Sequence, residues 1–310
     1  MEGSSSMIGI LVMAYGGPND LDEVEPYLMD VRGYRPTSQE IIHEVRERYR
    51  EIGGRSSILE QTQAQADALE SALNVDGGQF KAYVGMRHWH PFIKDALANM
   101  QADGIEKAVG VVMAPHYSRM SIGAYIKKIE EADSPIVFSC LENWHLDKGY
   151  ISALAHRVRD ALKRFPEEVR ANVPVIFTAH SLPEKILEWN DPYPAQLRET
   201  VSAVMEKLGS QPHEFAYQSA AISTIPWLGP DAGEVIERLV AEGNQHILLC
   251  PIGFVCEHVE ILYDIDIVYQ KLARSLGVHL ERIEMLNTAP EMIAGLAGLV
   301  REKAKEAGWL

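Results

Sequence analysis

The sequence predicts an α/β protein built from two similar lobes, each a parallel β-sheet with helices on both faces. Short apolar segments of strand length alternate with longer amphipathic segments along the whole chain, as in parallel sheets whose strands are connected by helices. The strand-like segments divide about evenly between the two halves of the chain. Polar residues able to bind a ligand recur where these segments end, so we expect a cleft between the lobes to collect them.

The strands of the N-terminal half are short apolar segments that end at turns containing glycine, proline or histidine. We place them at Ile8–Met13, Phe80–Met86, Ala108–Ala114 and Ile136–Ser139. The segments between them have apolar residues at helical spacing. We predict helices from Asn19 or Asp20 to Met29 and at Thr37–Ile52, Ser57–Leu73, Phe92–Ala102 and Ser121–Glu131.

The C-terminal half repeats this alternation after a longer helical segment at Gly149–Phe165. Its predicted strands are Val173–Thr178, Glu214–Gln218, Ile247–Pro251 and Val278–Arg282. Its predicted helices are Pro192–Leu208, Pro230–Glu242, Val259–Leu276 and Pro290–Ala307.

The seam between the lobes is predicted near Ser134–His145, where the first alternating series ends. This gives an N-terminal lobe of residues 7–135 and a C-terminal lobe of residues 136–288. We expect the last helix, within residues 289–310, to pack back on the N-terminal lobe.

Composition narrows the class of protein. Of the 310 residues, 46% are apolar and 24% charged, as in globular proteins. No apolar segment approaches the roughly 18 residues that cross a bilayer, so we expect a cytoplasmic protein without stable membrane association. The net charge of −15 argues against nucleic-acid binding. The three cysteines form no CxxC pair, so neither a disulfide framework nor an iron–sulfur cluster is expected.

The stretch Val173–Glu184 places a histidine where a buried strand should end. It reads Val-Pro-Val-Ile-Phe-Thr-Ala-His-Ser-Leu-Pro-Glu, and Ser181 with Pro183 has the pattern of a capped helix start. His180 is therefore predicted at a strand-to-helix corner, where open α/β sheets bind ligands. A purely structural loop histidine remains the alternative from this stretch alone.

A second stretch, Pro251–Asp266, places carboxylates at the start of a predicted helix near His258. Glu257, Glu260 and Asp264 have the spacing of one helix face. One interpretation is that Glu257 caps this helix and that the carboxylates form an acidic ridge exposed to solvent. The other is a trail of oxygen ligands for a divalent cation such as Fe²⁺ or Zn²⁺, ending at Glu260 opposite His180.

Three other histidines are interpreted as structural or supporting residues. His88 and His116 follow strands, and His258 points away from the Glu260 face if the helix is regular.

Several motifs together resemble the ferrochelatases, from about Met7 to the C-terminus. They are Tyr15-Gly-Gly-Pro, Arg87-His88, Pro115-His-Tyr-Ser, Thr178-Ala-His-Ser-Leu-Pro-Glu, Asp191-Pro-Tyr, Gln218-Ser219, Pro226-Trp-Leu-Gly-Pro-Asp and Gly253-Phe with His258-Val-Glu and Tyr263-Asp. The resemblance implies insertion of Fe²⁺ into a porphyrin held in a cleft between two Rossmann-like lobes. It also implies that His180 and Glu260 are the catalytic, metal-contacting pair.

Within this family, Ala14-Tyr15 is similar to the branch that uses coproporphyrin III. The resemblance therefore implies that the product is Fe-coproporphyrin III in haem biosynthesis. The family's acidic helix ridge often continues one turn beyond Asp264, where this chain has Val268. The residues that match porphyrin-contacting positions are Tyr15, Arg32, Arg48, Tyr49, Ser56 and Tyr125.

The resemblance leaves alternatives open. Protoporphyrin IX as substrate, another ring or metal, and a tetrapyrrole carrier without turnover are the other candidate functions. We expect Fe²⁺ and porphyrin as substrates, no permanently bound cofactor, and a downstream haem-pathway enzyme as the protein partner.

Overall fold

Two four-stranded sheets form the framework of the protein. The structure is a computed structural model that describes residues 7–221 and 225–310. In each sheet all neighbouring strands are parallel, which confirms the predicted fold class. The first sheet has the order β2-β1-β3-β4 and the second the order β6-β5-β7-β8. The strands are β1 (Ile8–Ala14), β2 (Phe80–Met86), β3 (Lys107–Val112), β4 (Val137–Leu141), β5 (Val175–His180), β6 (His213–Gln218), β7 (His246–Pro251) and β8 (His279–Arg282).

Helices cover the sheets and connect successive strands. In the first half they are α1 (Val24–Val31), α2 (Gln39–Glu51), α3 (Ile58–Asn74), α4 (Ile93–Ala102) and α5 (Ile122–Glu131). In the second half they are α6 (Lys148–Leu162), α7 (Tyr193–Leu208), α8 (Ala232–Ala241), α9 (Val259–Leu262), α10 (Gln270–Leu276) and α11 (Pro290–Glu306). Short 3₁₀ turns occupy Arg170–Asn172 and Glu184–Trp189. None of the helices in the described ranges is both long and apolar enough to cross a membrane.

The central strands are apolar along their whole length because both faces of each sheet are covered. Every residue of β1 is buried, and Val12 lies between Val84 and Val111 on its two neighbours. In the second sheet, Phe177 lies between Phe215 and Cys250. These buried strands hold their carboxyl ends, from which the candidate site is built, in fixed positions.

The segment after Glu257 differs from the predicted single helix Val259–Leu276. His258 is extended, with φ −161° and ψ −178°, so the helix begins only at Val259. One turn later a π-helical segment, Asp264–Tyr269, separates α9 from α10. The predicted capping role of Glu257 is therefore wrong, because its carboxylate pairs with Arg282 at 3.1 Å instead.

Helix α11 contacts helices from both halves of the chain. Arg301 donates hydrogen bonds of 3.0 and 3.1 Å to the carbonyls of Ala72 and Leu73 at the end of α3. Helix α11 also packs closely on α6, where a Cβ on Gly149 would lie 2.0 Å from the carbonyl oxygen of Glu291. Only glycine permits this approach. The division of the chain at residues 135 and 136 stays a prediction.

Candidate active site

His180 is the last residue of β5, as the sequence predicted. Tyr193 donates a 3.0 Å hydrogen bond to the backbone oxygen of His180 and so holds the end of β5 in place. The imidazole Nδ1 donates to the backbone oxygen of Ser181. The predicted helix cap by Ser181 is wrong, because its hydroxyl donates to Leu228 and its backbone N–H to Gln218.

Glu260 lies in the first turn of α9, and the end of β6 anchors its backbone. Gln218 donates from Nε2 to the carbonyl oxygen of Glu260 at 3.1 Å. The amide of Gln218 is oriented in turn by Thr178, whose hydroxyl donates to Oε1 at 2.6 Å. Thr178 and Gln218 are fully buried, so this end of the sheet is rigidly connected to the helix that carries Glu260.

The two predicted metal-contacting side chains meet. Nε2 of His180 lies 3.2 Å from Oε1 of Glu260. Burial lowers the pKa of His180, but the Glu260 charge and hydrogen bond outweigh it and raise this pKa to about 9. Burial likewise opposes ionisation of Glu260, but the two neighbouring imidazoles hold its pKa well below its ordinary value. The pair is therefore imidazolium and carboxylate at neutral pH.

His258 also contacts Glu260, which the sequence interpretation did not foresee. Its Nε2 lies 3.3 Å from Oε2, while its Nδ1 lies 2.9 Å from the carbonyl oxygen of Cys256. Both ring nitrogens thus face oxygen acceptors. Helical spacing predicted that His258 points away, but the residue is extended, and this turns its ring toward the carboxylate. Glu260 consequently lies between two imidazoles.

Asp264 continues the acidic side of this site one turn beyond Glu260. The hydroxyl of Ser219 donates to its Oδ2. Burial raises the pKa of Asp264 to about 6, and the Glu260 charge adds to this, against the Ser219 hydrogen bond. The third predicted member of the ridge, Glu257, points instead to Arg282.

Tyr15 follows β1 and is 39% exposed. Its ring lies 4.6 Å from that of His88, whose Nδ1 is 2.8 Å from Oδ1 of Asp30. The guanidinium of Arg87 lies 5.9 Å from the Tyr15 ring centroid. Burial raises the pKa of Tyr15 to about 12, Arg87 opposes this, and the Glu260 charge adds to it. That charge acts across the space between the two sheets.

Besides Tyr15, two of the predicted porphyrin-contacting residues, Arg48 and Tyr125, face the site. The guanidinium of Arg48 lies 5.5 Å from the ring of Tyr263, next to Asp264, and pairs with Glu44 at 2.5 Å. Tyr125 is 4% exposed and lies under Arg87, 5.5 Å from its guanidinium carbon.

The other three lie in the N-terminal half of the chain. Tyr49 is buried against Tyr27, with ring centroids 6.4 Å apart. Ser56 is buried beside Gly17, where a Cβ would lie 2.5 Å from its hydroxyl. Arg32 ends α1, and its Nε is buried with no hydrogen-bond partner among the described residues.

Comparisons with known proteins decide the family. The family described as Ferrochelatase matches residues 7–304. The chain belongs to the ferrochelatase family. A Ferrochelatase of Deinococcus radiodurans is 46% identical over 96% of this chain and 96% of that protein. A Coproporphyrin III ferrochelatase of Listeria monocytogenes is 40% identical over 96% of this chain and 98% of that protein.

The fold of this ferrochelatase-family chain also matches a solved structure titled SirB from Bacillus subtilis with Fe³⁺. The TM-score is 0.62 over 98% of both chains, at 14% sequence identity. At that identity the likeness concerns the fold, two parallel-sheet lobes, and nothing finer.

One further residue of this family member contacts the site, although the sequence had given it no role beyond its place in a motif. Arg87 lies over both Tyr15 and Tyr125, and the Arg87-His88 motif was the available signal. The structural or supporting role expected of His116 stays a prediction, and its buried Nδ1 has no hydrogen-bond partner among the described residues. His116 is 2% exposed, its Nε2 lies 2.8 Å from the hydroxyl of Thr200, and burial lowers its pKa to about 3.

Proposed function

We propose that this chain inserts Fe²⁺ into coproporphyrin III, giving Fe-coproporphyrin III for haem biosynthesis. The observation that carries the proposal is the His180–Glu260 pair, 3.2 Å apart at the end of β5. Membership of the ferrochelatase family supports metal insertion into a porphyrin. The finer assignment to coproporphyrin III rests on Tyr15 and on relatives named as Coproporphyrin III ferrochelatases.

The atom that exchanges a proton or contacts the metal is Nε2 of His180. Nδ1 faces a carbonyl oxygen, which only accepts hydrogen bonds, so Nδ1 keeps its hydrogen in every protonation state. In the neutral ring the lone pair is therefore on Nε2, on the side of Glu260. This geometry supplies one directed nitrogen base beside one carboxylate.

Metallation of a free porphyrin releases two pyrrole protons. The raised pKa of His180 makes the neutral imidazole a strong base, but it also keeps most of the rings protonated near neutral pH. An incoming Fe²⁺ repels the imidazolium and favours the neutral ring, so the Nε2 proton of His180 leaves to solvent water. The neutral imidazole then accepts one pyrrole proton at Nε2, and the second pyrrole proton leaves to solvent as the iron enters the ring.

Glu260 acts as an ionised carboxylate. Because its pKa is well below its ordinary value, it does not hold a transferable proton at neutral pH. We assign it two roles, orientation of His180 and oxygen ligation of Fe²⁺. Asp264 extends the oxygen-lined approach, and its pKa near 6 leaves it ionised in most molecules at neutral pH. These two carboxylates attract the incoming cation.

The porphyrin itself must be bent, because a flat ring keeps its nitrogen lone pairs in the ring plane. Such distortion costs about 1–5 kcal/mol and is supplied by contacts remote from the metal. Coproporphyrin III has four propionates, for which arginines are the expected partners. Arg48 and Arg87 border the site. The Nε atoms of Arg32 and Arg48 have no hydrogen-bond partner among the described residues.

Tyr15 occupies the other side of the proposed porphyrin position. Its pKa near 12 keeps the phenol neutral in the free protein. We propose that its oxygen faces the ring, steers it, and ligates the iron once dioxygen has oxidised the ferrous product to the ferric state.

A substrate comparison tests the proposal. Anaerobic multiple-turnover assays with Fe²⁺ should give a higher kcat/KM with coproporphyrin III than with protoporphyrin IX. Equal or reversed preference would overturn the coproporphyrin assignment while leaving metal insertion intact. Absence of turnover with both rings, with tight binding retained, would instead favour a tetrapyrrole carrier.

A further inference from the structure

We propose a second metal site, separate from the candidate active site, that binds one late first-row divalent ion such as Zn²⁺ through His246 and His279. The first residues of β7 and β8 are these two histidines, and they are register partners. Their Nδ1 atoms face each other at 3.4 Å. Two nitrogen ligands of a tetrahedral Zn²⁺, with bonds of about 2.0–2.1 Å, lie about 3.3–3.4 Å apart.

The surroundings of His279 have the form that metal-binding histidines usually show. Its other nitrogen, Nε2, lies 3.1 Å from Oε1 of Glu281. A carboxylate in that position fixes the ring hydrogen on Nε2 and directs the Nδ1 lone pair outward. Arg164 holds Glu281 in turn, with Nη1 3.2 Å from Oε2. The positive charge of Arg164 opposes cation binding, and Glu281 lies between it and the imidazoles.

Phe165 restricts both imidazoles. The buried Phe165 ring lies 5.7 Å from the ring of His246 and 4.8 Å from that of His279, centroid to centroid. The two histidine rings are inclined at 74° to each other. Side chains held by packing lose little rotamer freedom when they bind an ion, so the ligand pair is preorganised.

Neutral imidazoles favour Zn²⁺, Cu²⁺ and Ni²⁺ over Fe²⁺. Across the described ranges, no group of three or more His, Cys, Asp and Glu is placed to hold a metal, so water completes the coordination here. The site is also remote from His180. It lies at the amino end of β7, whose six residues span about 17 Å.

An ion at this site joins two strands that only a short ladder connects. β8 has four residues and is the edge strand of the second sheet. An ion that bridges His246 and His279 binds the folded protein and not the separated strands, so it stabilises the native state. We therefore infer a stabilising role for the second metal site, independent of the proposed metal-insertion reaction.

The test is Zn²⁺ titration by calorimetry in a His180→Ala/Glu260→Gln background, which removes both metal-contacting side chains of the candidate active site. We expect one remaining site, lost in His246→Asn and in His279→Asn. Glu281→Gln should weaken its affinity about 10–100-fold. His156→Asn is the matched control, because among the described residues His156 pairs with Glu291 at 2.8 Å and with no second imidazole. Zn²⁺ should raise Tm by a few degrees in the background protein and in the His156→Asn control, but not in His246→Asn or His279→Asn.

A second measurement does not require the His246 and His279 variants to fold. Cu²⁺ bound to the same background protein, in which both histidines are retained, should show electron paramagnetic resonance coupling to two imidazole nitrogens. Coupling to one nitrogen or none would overturn the proposal, as would Zn²⁺ binding that persists unchanged in His279→Asn or is absent from the background protein.

Discussion

Nε2 of His180 and Oε1 of Glu260 lie 3.2 Å apart, although the two residues come from a strand end and a helix start that are distant in the sequence. The contact couples the protonation of both groups. The imidazole becomes more basic and the carboxyl more acidic than either would be alone. The imidazole of His180 therefore holds its proton until Fe²⁺ arrives in the site.

Glu260→Gln should therefore lower the pKa of His180. In the wild type this pKa is about 9. With the carboxylate gone, burial, which lowers the pKa, is the largest remaining influence, against the Ser181 hydrogen bond and the Asp264 charge. The measurement is an NMR titration of the His180 ring. Glu188→Gln, which changes an exposed carboxylate on the turn after His180, is the control and should leave the titration unchanged. A His180 titration near 6.5 in the wild type would contradict the pairing.

Tyr15→Phe should weaken binding of ferric product more than it slows metallation. The change removes the oxygen but retains the ring that packs 4.6 Å from His88. Absorbance spectra of the ferric product complex measure the effect. Tyr83→Phe is the control, because the Tyr83 hydroxyl hydrogen-bonds Asp103 at 2.7 Å, outside the site. Identical product spectra for wild type and Tyr15→Phe would refute the assigned role.

Arg282→Met should destabilise the fold by about 2–3 kcal/mol, because it leaves two carboxylates unpaired that are only partly exposed to solvent. Arg282 donates to Glu257 at 3.1 Å and to Asp266 at 2.6 and 2.7 Å, and only 16% of its side chain is exposed. Urea unfolding gives the free energy directly.

The control for Arg282 is Arg238→Met. Arg238 also pairs with two carboxylates, Glu214 and Glu242, but its side chain is 46% exposed. Its loss should cost clearly less than the loss of Arg282, because solvent screens exposed ion pairs. Equal losses in the free energy of unfolding for the two variants would show that burial does not determine how much the Arg282 ion pairs stabilise the fold.

Asp264→Asn should stabilise the protein at pH 7 while weakening the approach of Fe²⁺. Its pKa rises from 3.8 to about 6 on folding, so the folded state disfavours the charged form. The penalty is absent below about pH 3.8, develops between the two pKa values, and is complete above about pH 6. It amounts to at most about 3 kcal/mol.

Thermal melts of wild type and Asp264→Asn at several pH values measure this difference. The Tm of the variant should exceed that of the wild type at pH 7, and the gap should close as the pH falls toward 4. A gap that is constant with pH would mean that the carboxylate charge is not its cause.

Much of the fold is readable in the sequence because both sheets are buried on two faces. Runs such as Ile8–Ala14 are apolar throughout, so strand positions follow from local composition. His180 and Glu260 were predicted to meet from motif resemblance and from their positions at a strand end and a helix start.

The parts that were not predicted depend on contacts distant in sequence. The segment Val259–Leu276 has helical periodicity, and nothing local marks the π turn at Asp264–Tyr269. Glu257 resembled a helix cap until its partner, Arg282, was brought to it by the pairing of β8 with β7. His258 was misassigned for the same reason, since a regular helix was assumed where the backbone is extended.

The central claim is that the His180–Glu260 pair takes part in metal insertion and does not merely line the porphyrin site. His180→Ala tests it most directly, with stopped-flow absorbance following porphyrin binding and metallation in the same experiment. The account predicts that the variant binds coproporphyrin III with near-normal affinity but does not convert it with Fe²⁺. Near-normal turnover by His180→Ala would contradict the account.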